Sequence, residues 1–79
     1  MRLSYDPKYN MAYIKLRDKP EQVETIRVSD ELNVDMAPDG TVYGIELLNA
    51  NDQLRGDRLG SFVVVNEASG ESAEVQLAI

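Results

Sequence analysis

Residues 32–48 read LNVDMAPDGTVYGIELL, and this stretch decides the fold. Runs rich in leucine, valine, isoleucine and tyrosine flank residues 37–40, APDG. Pro38 presets φ at the first central position of a turn, Asp39 is a typical turn residue, and Gly40 accepts the positive φ that closes the turn. The stretch therefore predicts a β-hairpin.

The register of this hairpin determines which side chains share a face, because a slip of one residue moves every side chain to the opposite face. An even number of loop residues puts one apolar set together: Leu32, Val34, Met36, Tyr43, Ile45 and Leu47. The second face then holds Asn33, Asp35, Gly44 and Glu46, among Val42 and Leu48. A three-residue loop would break this match, so we favour the even loop.

Short alternating runs elsewhere in the chain predict further strands, over residues 2–5, 11–16, 23–28, 61–66 and 73–79. Turn signals separate them, such as the charged loop 17–22 with its proline. Residues 61–66, SFVVVN, form a continuous apolar run that is typical of a strand buried on both faces. Asn51 is a candidate cap for one helical turn near 51–56, which Gly56 keeps short.

The predicted class is mainly β, a single antiparallel meander of about three hairpins with one short helical turn near 51–56. The 79 residues suffice for one small β domain over 1–79, with the C-terminal hairpin at 61–79. A sheet of this size has a thin core and edges that need covering or pairing. Self-association through an edge strand or the C-terminal hairpin is therefore expected.

Composition limits the function classes. Eight basic and fourteen acidic residues give a net charge of −6, which repels nucleic-acid phosphates and anionic lipids at long range. Cysteine is absent, so disulfides and thiolate metal sites are excluded. No apolar run approaches the ~18 residues that span a bilayer, and residues 1–10 lack the apolar stretch of a signal peptide. We expect a cytoplasmic protein with no membrane contact and no cofactor.

Histidine is also absent, which removes the commonest general base, and no catalytic residue is assigned. Asp35 and Glu46 share a predicted face and are the remaining acid–base candidates. Two carboxylates perform such chemistry only where a cleft drives their pKa values apart, and this chain has little room for a cleft. The simpler interpretation is an ionic patch in which Arg27 or Arg17 on a neighbouring strand pairs with them.

Oxygen ligands for Ca²⁺ or Mg²⁺ are available at Asp6, Asn10, Asp35, Asp39 and Glu46. Their spacing is not that of an EF-hand loop, because residues 30–35 lack its glycine and its closing glutamate. Asp6 precedes Pro7 and Asp39 precedes Gly40, which explains both as turn residues. No metal site is predicted.

Basic residues and tyrosines interleave in the N-terminal third, an arrangement that can stack nucleic-acid bases. They are Arg2, Lys8, Lys15, Arg17, Lys19 and Arg27, with Tyr5, Tyr9 and Tyr13. The tyrosines, however, alternate as core-facing or cross-strand residues do. The acidic remainder of the chain also opposes approach, so nucleic-acid binding is disfavoured.

Three motifs in order, YDPKYNMAYIKL, VETIRV and VDMAPDGTVYGIELLNA, resemble a short prokaryotic family known as domain of unknown function 2283. The resemblance covers residues 3–50. It marks Tyr5, Asp6, Tyr13, Ile14, Asp35, Asp39, Gly40, Gly44, Ile45 and Glu46. The chain departs from the pattern with Asn10 in place of an acid, with Met36 and Ala37 before the turn, and with Asn51 after Ala50.

The resemblance implies no established activity. Some members of that family are encoded beside small toxin-like proteins, which implies an antitoxin- or immunity-type role by association. Residues 52–79 lie beyond the family signature.

We expect a non-enzymatic protein–protein interaction module with a basic protein partner. The predicted binding residues are Asp6, Tyr13, Asp35 and Glu46, and the predicted turn or structural residues are Pro38, Asp39, Gly40 and Gly44. The alternative is a divalent-cation-binding protein, or a small carboxylate-dependent enzyme, that uses Asp35 and Glu46.

Overall fold

The computed structural model describes residues 1–20 and 22–79. Glu21, part of the predicted loop 17–22, lies outside the described residues. The elements are β1 (Arg2–Asp6), β2 (Met11–Lys15), β3 (Glu24–Ser29), β4 (Leu32–Met36), β5 (Val42–Leu48), α1 (Ala50–Leu54), β6 (Ser61–Val65) and β7 (Ser72–Gln76). The prediction of a mainly β chain with one short helix is confirmed, with strand ends that differ by one to three residues.

The strands form two antiparallel sheets. The larger has five strands in the order β1-β2-β5-β4-β3, and the smaller is the hairpin β6-β7. The three predicted hairpins are therefore present, but the third is a separate sheet. In the larger sheet β2 pairs with β5 instead of β3, so the chain after β2 crosses to the far edge before it returns.

The hairpin of β4 and β5 has the predicted register along most of its length, with Val34 opposite Ile45 and Leu32 opposite Leu47. Near the turn the register shifts, and Met36 pairs with Val42. Met36 was expected to share a face with Tyr43 and not with Val42, so this part of the prediction is wrong. Tyr43 is the extra residue of a bulge, and its carbonyl accepts a hydrogen bond from the Leu16 amide at 2.9 Å.

The registers align rows of residues across the five strands. One face carries apolar rows: Leu3, Ile14, Ile45, Val34 and Ile26, then Tyr5, Ala12, Leu47 and Leu32. The opposite face carries polar rows: Arg2, Lys15, Gly44, Asp35 and Thr25, then Ser4, Tyr13, Glu46, Asn33 and Arg27. The sheet thus separates an apolar face from a polar one.

Helix α1 closes one end of the sheet. Ala50 at its start is fully buried, and its amide donates to the Asn10 carbonyl at 3.0 Å. The N-cap is Asn49, in the left-handed region at φ 52°, and not Asn51 as predicted. The Asn51 side-chain oxygen instead accepts a hydrogen bond from Asn10 Nδ2 at 2.7 Å, and the Asn51 amide donates to Asn10 Oδ1 at 2.9 Å.

The C-terminal hairpin lies over the apolar face near β1 and β2. An open groove of about 560 Å³ separates them. It is lined by Leu3, Tyr5 and Ile14 from the sheet and by Phe62, Val64 and Val75 from the hairpin. The prediction that residues 61–66 are buried on both faces is wrong, because the groove on one side is not filled and no described residue covers the other, where Val63 is 49% and Val65 is 54% exposed.

Candidate functional site

The polar face of the large sheet holds one buried acid. Asp35 lies in β4, where Thr25 of β3 and Gly44 of β5 are its partners in register. Only 7% of its surface is exposed, the lowest exposure of any charged residue that the structure describes. A carboxylate at this depth needs hydrogen bonds or a counter-charge to offset the loss of water.

Three side chains from different parts of the chain satisfy Asp35. Thr25 Oγ1 donates to Oδ1 at 2.6 Å, and the Tyr13 hydroxyl donates to Oδ2 at 2.7 Å. Lys19 Nζ also lies 2.7 Å from Oδ2 and 4.6 Å from the centre of the Tyr13 ring. We call these residues, Tyr13, Lys19, Thr25 and Asp35, the Asp35 cluster. Both oxygens of the carboxylate are therefore occupied by donors from the protein itself.

Gly44 is what allows Tyr13 to reach Asp35. Tyr13 lies on β2, and β5 separates that strand from β4. The Tyr13 ring crosses β5 directly over Gly44, so that a Cβ atom at position 44 would lie 2.0 Å from the hydroxyl oxygen and 2.3 Å from Cζ. Any side chain at this position would displace the ring and break its hydrogen bond. The glycine is needed for close approach, and not for a positive φ.

The pKa values in the cluster follow from burial and hydrogen bonding. Burial alone would raise the pKa of Asp35, but the hydrogen bonds from Lys19, Thr25 and Tyr13 outweigh it and lower that pKa to about 2. Burial, together with the hydrogen bond to Asp35, raises the pKa of the Tyr13 hydroxyl. The hydrogen bond to Asp35 raises the pKa of the Lys19 ammonium.

These directions decide what the cluster does chemically. Asp35 stays ionised at neutral pH, while Tyr13 and Lys19 stay protonated. General acid–base catalysis works best with a group whose pKa lies near the working pH, and these shifts move all three pKa values away from it. The Asp35 cluster therefore acts as a satisfied ionic network that links β2, β3 and β4 to the loop after β2.

Glu46, the second predicted carboxylate, lies on the same face as Asp35 but outside its cluster. It is opposite Tyr13 in register and accepts a hydrogen bond from Asn33 Nδ2 at 2.9 Å. The expected pairing of these acids with Arg27 or Arg17 is wrong. Arg27 forms an ion pair with Asp30, and Arg17 lies over the Tyr43 ring at 5.8 Å.

Asp6, at the end of β1, and Asp39, in the β4–β5 turn, lie away from the Asp35 cluster. Asp6 Oδ1 accepts the Lys8 amide at 2.9 Å, and Asp39 Oδ1 accepts the Thr41 amide at 2.9 Å. The backbone hydrogen bond from Thr41 also lowers the pKa of Asp39. Gly40 follows with φ 91°, within the turn that Pro38 begins.

Two members of the Asp35 cluster were missed in the sequence. Thr25 is opposite Asp35 once β3 pairs with β4, so its place follows from the register of those two strands. Lys19 lies in the irregular segment after β2 and has no periodicity that points to Asp35. The Asn10–Asn51 contact was missed too, although both positions had been noted as departures from the family pattern.

No group of three or more histidine, cysteine, aspartate or glutamate residues in 1–20 and 22–79 is arranged to hold a metal ion. None of the helical structure in those residues has the length and apolar character to cross a membrane.

The C-terminal hairpin provides the second candidate site. Five of its large apolar side chains are between 43% and 61% exposed: Phe62, Val63, Val64, Val65 and Val75. Phe62 pairs with Val75 and shares a face with Val64, while Val63 and Val65 lie on the opposite face. We call these five residues the docking surface. Clustered exposed apolar residues mark sites of protein association, and this hairpin has them on both faces.

Comparison with known proteins gives one match. The profile of a family described as "Protein of unknown function (DUF2283)" matches residues 2–51. The matched range contains the whole five-stranded sheet and the Asp35 cluster, and it ends within α1. Searches of curated proteins and of solved structures each found no match. The family suggested by the three sequence motifs is thus confirmed over more than half of the chain, and the protein belongs to the DUF2283 family.

Proposed function

We propose that this protein is a non-enzymatic protein–protein interaction module whose C-terminal hairpin binds the partner. The exposed apolar residues on both faces of the hairpin carry this proposal. A two-stranded hairpin is marginally stable on its own, so it needs a surface to pack against. The large sheet of the same chain lies opposite only one face of the hairpin, and an open groove separates the two.

The charge of the hairpin indicates which surface chemistry its partner should have. Residues 61–79 contain three glutamates, Glu67, Glu71 and Glu74, and no lysine or arginine. The partner surface that fits is therefore apolar at its centre and basic at its rim, which is the usual arrangement of a protein interface. A small basic protein has this chemistry, and an antitoxin- or immunity-type role is the specific form of the proposal. We propose that binding takes place in the cytoplasm.

The Asp35 cluster supports a binding role over an enzymatic one. Asp35 accepts donors at both oxygens, and Glu46 is engaged by Asn33. A cation or a substrate would have to displace Lys19, whose ammonium is held 2.7 Å from the carboxylate. No observation favours the cation-binding or carboxylate-enzyme alternative, so one function is proposed.

The test compares three immobilised proteins in an extract of the source cells: the wild type, Val64→Glu and Ala68→Glu. Val64→Glu places a carboxylate on the docking surface, while Ala68→Glu places the same charge in the exposed β6–β7 turn. We expect proteins retained by the wild type and by Ala68→Glu to be lost with Val64→Glu. Each retained protein is then purified and its binding is measured by calorimetry. A wild type that binds neither another protein nor a second copy of itself would contradict the proposal.

A further inference from the structure

We propose that the partner of the docking surface is a second copy of this chain. Two copies form a two-fold symmetric dimer in which the acidic C-terminal hairpin of each lies against the basic N-terminal hairpin, residues 1–20, of the other. This inference rests on the proposed function and identifies its first partner.

The surface area of the chain is the first argument. Its accessible surface is 6003 Å² for a mass of 8.8 kDa. A folded monomer of that mass exposes about 4,800 Å² by the usual scaling. The excess is roughly 1,200 Å², and a stable interface buries about 800 Å² on each partner. The chain therefore exposes, beyond an ordinary monomer, enough surface for one complete dimer interface.

The radius of gyration agrees with this excess. It is 14.1 Å, with extents of 36 × 34 × 19 Å. A compact domain of 79 residues has a radius of gyration of about 11.6 Å. The flat shape arises because the hairpin and the large sheet do not close on each other, which leaves the groove of about 560 Å³ open.

The chain has two exposed apolar surfaces. One is the projecting hairpin with its docking surface. The other lies on the basic N-terminal hairpin, where Met1 is 86%, Tyr9 is 64% and Leu16 is 38% exposed. When the projection of each copy contacts the receiving face of the other, the two contacts are related by a two-fold axis and the assembly closes at two.

The distribution of charge indicates which part of the second copy contacts the C-terminal hairpin. Residues 1–20 carry five basic side chains and two aspartates, a formal charge of +3, whereas residues 61–79 carry −3. Within residues 1–20 and 22–79 no glutamate of the hairpin forms an ion pair. Lys15 and Lys19 already pair with Asp18 and Asp35, whereas Arg2, Lys8 and Arg17 form no ion pair within the described residues. The basic hairpin of a second copy would supply these cations to the glutamates, and the two-fold axis would repeat the contact.

Sedimentation equilibrium tests the dimer. We expect the wild type to have twice the 8.8 kDa chain mass at micromolar concentration, and we expect its dissociation constant to rise with salt. Val64→Glu should weaken the dimer at least ~100-fold, because it places a charge in the apolar centre of the interface. Ala68→Glu, the matched control, should not weaken the dimer, since it leaves the docking surface intact and adds its carboxylate beside Glu67, on the acidic side of the contact.

A second variant keeps the test decisive if Val64→Glu disorders the hairpin. Glu67→Lys/Glu71→Lys changes only exposed charges at the hairpin end and leaves every apolar residue in place. We expect it to weaken the dimer ~10-fold or more and to reverse the salt dependence. A dimer unaffected by this variant would contradict the arrangement of hairpins.

Cross-linking identifies the contact directly. All three lysines, Lys8, Lys15 and Lys19, lie in residues 1–20, so a zero-length amine–carboxylate reagent reports on that hairpin alone. In an equal mixture of ¹⁴N- and ¹⁵N-labelled protein, we expect mixed-isotope links from these lysines to Glu67, Glu71 or Glu74. Links confined to single-isotope peptides would overturn the proposal.

The outcomes also separate this inference from the proposed function. A monomer that still binds another protein through Val64 would overturn the second-copy dimer and leave the interaction module intact. A monomer that binds nothing would overturn both.

Discussion

The large sheet and the C-terminal hairpin are both antiparallel β structure, yet they are stabilised differently. The sheet surrounds buried residues, Ala12 at 2% exposure and Asp35 at 7%, and together with Lys19 from the segment after β2 it supplies the donors to Asp35. The hairpin has no buried side chain, and its apolar residues face solvent on both sides. The polar groups of the buried acid in the sheet are thus satisfied within the chain, whereas the apolar side chains of the hairpin remain exposed.

The family match follows the same division. It covers residues 2–51, which are the sheet and the start of α1, and the hairpin lies outside it. What the chain shares with its family is therefore the unit that satisfies its own polar groups. The interaction proposed here belongs to the part that is not matched.

The largest expected effect concerns the sheet. Gly44→Ala should lower the free energy of unfolding by about 3 kcal/mol, because the new methyl group displaces Tyr13 and breaks its hydrogen bond to Asp35. Urea unfolding followed by far-UV circular dichroism measures the loss. Gly56→Ala is the matched control, since its methyl group would lie 3.4 Å from the nearest atom and cost less than about 0.5 kcal/mol. Equal stability of the two variants would show that Tyr13 does not depend on Gly44.

A double substitution sharpens this result. In Tyr13→Ala the ring is gone, so adding Gly44→Ala should cost less than about 1 kcal/mol. The measurement is the same urea titration, analysed as a double-mutant cycle. Additive costs would indicate that position 44 is intolerant of a side chain for a reason other than Tyr13.

The next effect is the response of the sheet to acid. The pKa of Asp35 is about 2 in the folded protein, below its unfolded value of 3.8. A depressed carboxyl pKa contributes stability that is fully present above the unfolded pKa and is lost as the pH falls through the folded pKa. We expect a loss of about 2.4 kcal/mol between pH 5 and pH 1, measured as the difference between the wild type and Asp35→Asn. A difference that does not change over that range would contradict the ionic role of Asp35.

At neutral pH the same substitution should cost slightly less. Asp35→Asn retains an acceptor for Thr25 or Tyr13 but leaves Lys19 without its counter-charge, and we expect a loss of about 2 kcal/mol in urea at pH 7. Asp18→Asn is the control, because Asp18 forms an exposed pair with Lys15 that contributes less than about 0.5 kcal/mol. A smaller loss for Asp35→Asn than for Asp18→Asn would be inconsistent with the cluster.

The smallest expected change in the stability of the sheet comes from a substitution in the C-terminal hairpin. Val64→Glu, which is expected to abolish association, should change the free energy of unfolding of the five-stranded sheet by less than about 0.5 kcal/mol under conditions in which the wild type is also monomeric. Near-ultraviolet circular dichroism of the tyrosines, all of which lie in residues 5–43, follows the unfolding of the sheet and its loops. A loss of several kcal/mol would mean that hairpin and sheet form one cooperative unit.

The contrast between the two regions also explains how far the sequence could be interpreted. The APDG turn and period-two alternation were enough to place Asp35, Gly44 and Glu46 on one face, because a hairpin is a local structure. The pairing of β2 with β5 and the approach of Lys19 to Asp35 join distant segments, so no local pattern encodes them. The bulge at Tyr43 depends on hydrogen bonds from the segment after β2, and it escaped prediction for the same reason.

The error at residues 61–66 has a different origin. A run of apolar residues predicts that a strand will be covered on both faces, but it does not say which chain covers it. Here the alternation of apolar and polar residues is lost in β6 while three glutamates remain nearby, and this combination fits a strand that meets another protein.

Amide hydrogen exchange, measured residue by residue at two protein concentrations, tests the central claim most directly. We predict that amides of β2, β4 and β5 have the same protection at both concentrations and in Val64→Glu. Amides of β6 and β7 should gain protection as the wild-type concentration rises and should lack that gain in Val64→Glu. Hairpin amides that are as protected as those of the sheet, at every concentration and in both proteins, would contradict the claim that the hairpin needs a partner.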